Sequence, residues 1–211
     1  LFGKVMEETG AAASIAKFLA ELLGEKFAIL GVIFSGAVLV YGGVTTLVVV
    51  FSLYPIALSL FKKANLPRYL LPGAIAGGCF TFACANFPGT PNLVNVIPTT
   101  YLGTNTMAAP LVGVITGIAV MLMVCVYFLW EASRARARGD CFVEDEATTQ
   151  SLVKAASMVR LPSPIIAILP IVLILILLNV FKQHVVVAML GGILLCVVLS
   201  RRGQAVLGRQ N

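Results

Sequence analysis

Hydrophobic residues in this chain are grouped in long uncharged blocks that short basic stretches separate. Residues 27–61 form one such block, and residues 69–130 contain no charged side chain. A half-buried strand would alternate apolar and polar residues, and the surface helix of a soluble protein would carry a single apolar stripe. The blocks show neither pattern, so they predict helices that cross or enter a membrane.

Residues 9–24 differ from these blocks, because their apolar side chains recur at helical spacing with charged side chains between them. Thr9 is placed to cap the start of this helix, and Gly24 is placed to close its end. The pattern predicts an amphipathic helix that lies at the interface or packs in a bundle. The predicted apolar face consists of Ile15, Phe18, Leu19, Leu22 and Leu23.

The block 27–61 is too long for one span of about 20 residues and slightly short for two. The sequence "YGGVTT" at residues 41–46 lies near its middle. Paired glycines followed by β-branched threonines predict a helix break there. A tightly packed glycine hinge is the alternative interpretation of the same sequence. Two short helices of about 22–27 Å would result, as a re-entrant hairpin or as tilted spans.

The two halves of the uncharged window 69–130 each carry a stripe of small residues. Gly73 and Gly77 form the first stripe, and Gly113 and Gly117, with Ala109, form the second. Such stripes allow close packing of helices in membranes. Residues 107–130 are the clearest span, with Asn105 or Thr106 as the cap and Pro110 in the first turn.

Basic residues flank the apolar blocks at residues 62–68, 131–163 and 201–211, and paired apolar passes separate these three stretches. Positive residues concentrate in cytoplasmic loops, so the three stretches are predicted to lie on one side, with Lys182 and His184 on the other. The intervening passes are residues 69–130, and then residues 164–181, with a kink at Pro170, and 185–200.

The amino-acid composition is also typical of a membrane protein. Of the 211 residues, 59% are apolar and 11% are charged, against about 25% charged in soluble domains. The fold class is therefore an all-α integral membrane protein, a multi-pass helical bundle, because β-barrels alternate apolar and polar residues. The net charge of +6 does not indicate nucleic-acid binding, because the basic residues flank apolar blocks. The five cysteines form no CxxC pair, and no metal or cofactor site is predicted.

The stretch "NFPGTPNLVNVIPTTYLGTNT", residues 86–106, is polar yet carries no charge. Its prolines are expected to block regular helix and to free backbone groups, which neutral side chains would complement around a small polar or anionic solute. An ordinary extracellular loop is the alternative interpretation. The candidate amides and hydroxyls of this stretch include Asn86, Asn92, Asn95, Asn105, Thr90, Thr99, Thr100 and Thr104.

Three ordered blocks, "EETGAAASIA", "YGGVTTLVVVFSLYPIALSLFKKANLPR" and "FPGTPNLVNVIPTTYLGTNTMAAPLVG", resemble the gluconate permease (gluconate:proton symporter) family of the ion transporter superfamily. The resemblance runs to about Gly113. It implies a symporter of gluconate-like sugar acids or other small carboxylates in the inner membrane. It also implies inverted repeats with re-entrant or broken helices, and a homodimer.

The resemblance also assigns residues to roles. It implies that the solute is bound at Gly42, Gly43, Thr45 and Thr46, and at Pro88, Gly89, Thr90, Pro91, Asn92 and Asn95. The acidic-Gly-Ala motif of the family falls on Glu7, Glu8 and Gly10, so Glu7 and Glu8 are the candidates for proton coupling. Thr45 stands where serine is often found in the family, which preserves the hydroxyl.

Family members are longer, so the chain is expected to be a fragment of a longer permease. The expected parts are a truncated segment with an amphipathic helix at 1–26, a transport-type region with two breaks at 27–130, a cytoplasmic linker at 131–163, two transmembrane helices at 164–200, and the cytoplasmic start of a second half at 201–211.

Other functions stay open at this point. No carboxylate lies inside an apolar block, so sodium held by carbonyl and hydroxyl oxygens is an alternative to proton coupling. A non-transporting structural subunit of a membrane complex is another alternative. An intramembrane enzyme is disfavoured, because the chain has no His–Glu metal motif, no GxSxG and no pair of intramembrane aspartates.

Overall fold

The computed structural model describes residues 2–24, 27–143, 162–182 and 184–207, and all regular structure in these ranges is α-helical. The helices are α1 Phe2–Glu8, α2 Ala11–Leu23, α3 Ala28–Tyr41, α4 Thr46–Lys63, α5 Leu70–Cys79, α6 Phe82–Ala85, α7 Leu93–Leu102, α8 Pro110–Arg138, α9 Pro164–Asn179 and α10 Val185–Leu207.

Helices α3 and α4 form an antiparallel hairpin whose tip is the predicted break. Gly31 near the start of α3 packs against Leu60 near the end of α4, so both outer ends of the hairpin lie together. The tip at residues 42–45 is not helical. The block 27–61 is thus divided where the paired glycines predicted. Helix α3 is the central helix, and most of its side chains are buried.

Helix α5 runs beside α3 at very close range, because glycine removes the side chain at the contact. A methyl group on Gly78 would lie 2.2 Å from the carbonyl oxygen of Ile33. The predicted small-residue stripe faces the other way, since Gly73 and Gly77 both pack against the ring of Phe128 in α8. Helix α8 therefore returns antiparallel to α5, toward the end of the hairpin where residues 62–68 lie.

The stretch 86–106 departs from expectation in one respect. Residues 93–102 form the regular helix α7, with Pro98 inside it, although the prolines were expected to block helix. A proline in a helix removes the hydrogen bond of its own N–H to the carbonyl four residues earlier, and the rest of this short helix still forms. The non-helical parts are residues 86–92 before α7 and 103–109 after it.

Helix α2 ends before Gly24 as predicted, but its start and its buried face differ from the prediction. Thr9 does not cap it, because its hydroxyl donates to Val5 O at 2.8 Å, and the helix begins after Gly10 in a left-handed conformation. The buried face carries Ile15 and the small residues Ala12, Ala16 and Ala20, while Leu22 is 70% exposed. Small side chains bring α2 close to α3, where the Ser35 hydroxyl reaches Ala16 O.

Helix α8 begins and ends later than predicted. It starts at Pro110 after a left-handed Ala109, rather than after Asn105 or Thr106, and Pro110 occupies its first turn as expected. It continues past Trp130 to Arg138, because the following residues favour helix and Glu131 pairs with Arg138 at 3.7 Å. The first part of the predicted linker is therefore helical. Residues 144–161 lie outside the described ranges.

Two contacts join the end of α8 to the loop after α4. Asn65 Oδ1 accepts a hydrogen bond from Phe142 N at 3.1 Å, and the Tyr69 hydroxyl donates to Asp140 at 3.2 Å. The basic stretch 62–68 and the basic end of α8 thus lie at one end of the molecule, which we name the basic end. In the described residues, α4 and α8 are long and apolar enough to span a membrane.

Helices α9 and α10 pack against each other and close the bundle. Gly191 and Gly192 of α10 contact Leu177 and Ile174 of α9. The start of α9 lies beside the first turn of α2, since the Ser14 hydroxyl donates to Pro162 O at 2.6 Å. From there α9 passes the hairpin tip. Its Pro170 lies inside the helix, and it ends at Asn179 rather than at Phe181.

The contact between α3 and α5 yields a first prediction. Gly78→Ala should lower the free energy of unfolding by about 2 kcal/mol, because the new methyl group collides with backbone and this cost exceeds the gain in helix propensity. Denaturant unfolding in detergent micelles measures it. Gly73→Ala is the matched control with a milder effect, since its methyl group would meet a movable phenyl ring at 3.1 Å. Equal stability of the two variants would contradict this packing.

A second prediction concerns the basic end. In the full-length protein in cells, a membrane-impermeant thiol reagent should leave Cys141 unmodified until the cells are permeabilised, because basic segments stay in the cytoplasm. Cys141 is exposed in the structure and follows the contact of Asp140 with Tyr69. Modification of Cys141 in intact cells would place the basic end outside and invert the topology.

Candidate functional site

Two of the non-helical segments within residues 27–130 contact each other. We call residues 42–45 the first break and residues 86–92 the second break. The Tyr41 hydroxyl donates to Pro88 O at 3.0 Å, and the Thr90 hydroxyl donates to Tyr41 O at 3.0 Å. Thr90 is fully buried, so these reciprocal bonds satisfy polar groups that would otherwise be unpaired in an apolar interior.

Glycine makes this contact sterically possible. Gly43 has a φ of +87°, and a methyl group there would lie 2.7 Å from Cγ of Pro91. Gly42 is covered from the other side, because a methyl group on it would lie 2.6 Å from Ile171 of α9. The first break is therefore held between the second break and α9.

The second glycine stripe supports the second break from α8. A methyl group on Gly113 would lie 2.7 Å from Asn86 O, and one on Gly117 would lie 3.0 Å from the Phe87 ring. The Phe87 ring also meets the Tyr41 ring edge to face, with centroids 6.3 Å apart. The small residues of α8, which were predicted to pack against another helix, thus allow α8 to contact the second break.

A cavity of about 440 Å³ opens between the second break, α7 and the start of α8. Its size falls in the range of about 300–1,000 Å³ that is typical of small-molecule sites. None of its lining side chains is ionisable. The lining consists of Asn86, Pro88, Val94, Asn95, Pro98, Thr104, Asn105, Thr106, Ala108, Ala109, Val112, Gly113 and Thr116.

Some of the polar lining groups are already engaged within the chain. Asn95 Nδ2 donates to Phe87 O at 3.3 Å, Asn105 Oδ1 accepts from Met107 N at 3.0 Å, and Thr116 donates to Val112 O at 2.8 Å. The backbone N–H of Asn86 donates to Phe82 O at 3.2 Å, but its side-chain carboxamide and the hydroxyl of Thr104 make no hydrogen bond to any described residue. The cavity therefore offers neutral donors and acceptors to a solute.

The start of α8 adds a favourable field for an anion. Ala109, Val112 and Gly113 of its first turn line the cavity. The first N–H groups of a helix have no partner within it, and together they carry a partial positive charge. A carboxylate in this cavity would gain electrostatic stabilisation without a fixed cationic side chain. Among the described residues, no cluster of histidine, cysteine or acidic side chains could hold a metal ion.

The residues predicted to bind the solute divide into two sets. Pro88 and Asn95 line the cavity. The others build the contact behind it or lie beside it. Thr90 and Asn92 hold the second break, since Thr90 bonds Tyr41 O and Asn92 Nδ2 reaches Cys84 Sγ at 3.4 Å. Gly43 and Pro91 form the close approach between the two breaks, whereas Gly42 and Gly89 pack against Ile171 and Asn179 of α9.

Thr45 and Thr46 stand at the start of α4 and do not line the cavity. Thr45 packs against Gly3 of α1, which brings α1 to the first break. Glu7 and Glu8 are exposed at the far end of α1, one or more turns from that contact. Their role in proton coupling stays a prediction.

Asn179 is a residue of this region that the sequence interpretation missed. It ends α9, and its Nδ2 donates to Gly89 O at 3.0 Å. Its signal in the sequence was its position as the one polar side chain in the apolar run 164–180. Tyr41 and Thr116 were also missed, because neither stands in the proline-rich stretch that marked the site.

Comparisons with known proteins agree with the resemblance in the sequence. The family model described as GntP family permease matches residues 1–199. The chain is 46% identical over 140 residues to the uncharacterized transporter YxjC of Bacillus subtilis (strain 168), a match that covers 66% of this chain and 30% of that protein. The chain thus spans less than a third of the length of this relative. No solved structure matches significantly.

The contact between the breaks yields a third prediction. Gly43→Ala should be more destabilising than Gly103→Ala by about 1–3 kcal/mol, because only the former adds a clash to the strain of a positive φ. Gly103 has a φ of +60° and no atom within 4 Å of an added methyl group. Chemical denaturation of the two purified variants measures the difference. If the two free energies of unfolding agreed, the first break would not pack on Pro91.

Proposed function

The chain belongs to the GntP permease family, and from that premise we propose that it is the substrate-binding part of a secondary active transporter. The proposed solutes are gluconate-like sugar acids or other small carboxylates. The observation that carries this proposal is the neutral cavity beside the second break. It combines amides, hydroxyls and the start of α8 without an ionisable side chain.

This chemistry suits transport rather than permanent binding. A buried fixed charge would be costly to desolvate and would hold a carboxylate too tightly for release. Neutral donors and a helix start stabilise the same carboxylate more weakly. The hydroxyls of a sugar acid would find partners in Asn86, Asn95 and Thr104 at the cavity wall.

We also propose an arrangement of the hairpin in the bilayer. With the basic end in the cytoplasm, α3 and α4 enter and leave from the same side and form a re-entrant hairpin. Helix α4 has 18 residues and rises about 27 Å, against a hydrocarbon core of about 30 Å, so the first break would lie in the far half of the membrane. Non-helical backbone inside the membrane requires protein partners. The N–H groups of residues 42–44 have them in carbonyl oxygens of α3, and Thr90 of the second break adds a donor to Tyr41 O. The protein would be a multi-pass protein of the inner membrane.

The coupling ion is proposed to be the proton, with Glu7 and Glu8 as its candidate carriers. Sodium is the alternative, because the cavity lining described here contains no carboxylate, and carbonyl and hydroxyl oxygens can ligate that ion. A homodimer is proposed on the resemblance to the family. The exposed apolar sides of α7 and α8 would then face lipid or the second subunit.

Uptake by the full-length protein in proteoliposomes tests the function. The panel contains gluconate, related sugar acids and short carboxylates, with proton or sodium gradients imposed separately. Accumulation of a panel acid under a proton gradient is expected. Accumulation only under a sodium gradient would show that sodium, and not the proton, is the coupling ion. Absence of uptake for every acid under both gradients would favour a non-transporting structural subunit.

A fourth prediction concerns Asn95. Asn95→Ala should raise the half-saturating concentration of the transported acid about two- to ten-fold, because a hydrogen bond between an amide and a neutral sugar hydroxyl is worth about 0.5–1.5 kcal/mol. Initial uptake rates against concentration measure it, in vesicles matched for protein content. Ser133→Ala is the control, since it removes one side-chain hydrogen bond on the exposed basic part of α8. Unchanged half-saturation in Asn95→Ala would remove this residue from the site.

A further inference from the structure

The side chain of Asn179 lies flat against Gly89 in the second break. Its Nδ2 donates to Gly89 O at 3.0 Å. A methyl group on Gly89 would lie 2.9 Å from Oδ1 and 3.1 Å from Nδ2 of Asn179. Gly89 is also tied to the cavity wall, because its own N–H donates to Thr106 O at 2.8 Å. Asn179 therefore touches the backbone that joins the cavity-lining residues Pro88 and Thr106.

The other polar atom of this carboxamide, Oδ1, has no hydrogen-bond partner among the described residues. Asn179 Oδ1 is buried, and no donor within the described ranges lies at hydrogen-bond distance from it. Exchanging the amide oxygen and nitrogen would not help, because Oδ1 would then face the carbonyl oxygen of Gly89. Buried polar atoms in folded proteins are nearly always paired. The position of Oδ1 is therefore unfavourable for stability.

An apolar side chain of the same shape would avoid this unfavourable burial. Leucine would fill a similar volume and bring no unpaired oxygen, although it would leave Gly89 O without the donor that Asn179 provides. Departures from local stability rules are concentrated at functional sites, where the residue is kept for its effect on activity. The one favourable interaction that this carboxamide makes in the described residues is the hydrogen bond from Nδ2 to Gly89 O. It links the second break to a helix that begins more than 70 residues later in the chain.

We propose that Asn179 is a positioning residue of the solute site. It acts through the Gly89 carbonyl and fixes the second break, and thereby the places of Pro88 and Thr106 at the cavity. The proposal rests on the proposed function in so far as this cavity is the place where the solute binds. Asn179 itself does not line the cavity.

The first measurement requires no solute. Cys84 of α6 contacts Asn92 at 3.4 Å and reports on the second break, in a protein whose other four cysteines are replaced by alanine. Asn179→Leu should raise the rate of maleimide modification of Cys84 about two- to ten-fold, the effect of one lost hydrogen bond on an opening equilibrium. Ile176→Leu, on an exposed position of the same helix, should leave the rate unchanged. An unchanged rate in Asn179→Leu would overturn the proposal.

The second measurement separates positioning from a purely structural role. The thermal midpoint of Asn179→Leu should stay within about 4 °C of that of the unmodified protein, because removal of the unpaired Oδ1 offsets the loss of the donor to Gly89 O. A midpoint as low as that of Asn179→Ala would mean that the bond serves the fold alone, and would also overturn the proposal. Asn179→Ala, which leaves a cavity, should have a lower midpoint and calibrates the assay.

The third measurement is gluconate uptake. Asn179→Leu should raise KM about two- to ten-fold with little change in kcat, because a displaced cavity wall weakens binding. An unchanged KM would contradict the inference. If the unmodified protein takes up no acid, the proposed function fails. The Cys84 rate and the thermal midpoint then still decide whether Asn179 positions the second break.

Discussion

Every other feature of this structure depends on how it satisfies the broken backbone inside an apolar bundle. A peptide group without a hydrogen-bond partner costs several kcal/mol in such an environment, so an interrupted helix is stable only where other protein groups reach it. Here the N–H groups of Gly42, Gly43 and Val44 bond to carbonyl oxygens of α3. The second break adds two bonds at the end of that helix, because the Tyr41 hydroxyl donates to Pro88 O and the Thr90 hydroxyl donates to Tyr41 O. Pro91 of the second break fills the space that Gly43 leaves in the first.

The surrounding helices are arranged around this contact. Gly113 and Gly117 let α8 lie against the second break, and its first turn then forms part of the cavity wall. Helix α9 covers Gly42 with Ile171 and holds Gly89 with Asn179. A solute in the cavity would thus contact α7, α8 and the second break. A movement of that break would change its contacts with Tyr41 and Gly43, and therefore with the hairpin of α3 and α4.

Much of this organisation could be predicted from sequence, because hydrophobic blocks, paired glycines and prolines carry local signals. The break at Gly42 and Gly43 and the small stripe on α8 are examples. The partners of each group could not be predicted. The contact of Thr90 with Tyr41 has no local signal, and its predicted role in binding the solute stays a prediction. Asn179 was missed because its contact with Gly89 lies 90 residues away in the chain. The buried face of α2 was misjudged because alanines, rather than leucines, allow its close approach to α3.

The contact between the two breaks is the central claim, and a disulfide tests it most directly. An added Cβ on Gly43 would lie 3.6 Å from Cβ of Pro91, within the range of about 3.5–4.5 Å that a disulfide requires. With the native cysteines replaced, the protein carrying Gly43→Cys and Pro91→Cys should form this bond on mild oxidation. Mass spectrometry of the linked peptides would identify it, and the single-cysteine variants are the controls. Two free thiols after oxidation of the folded protein would show that the breaks do not meet.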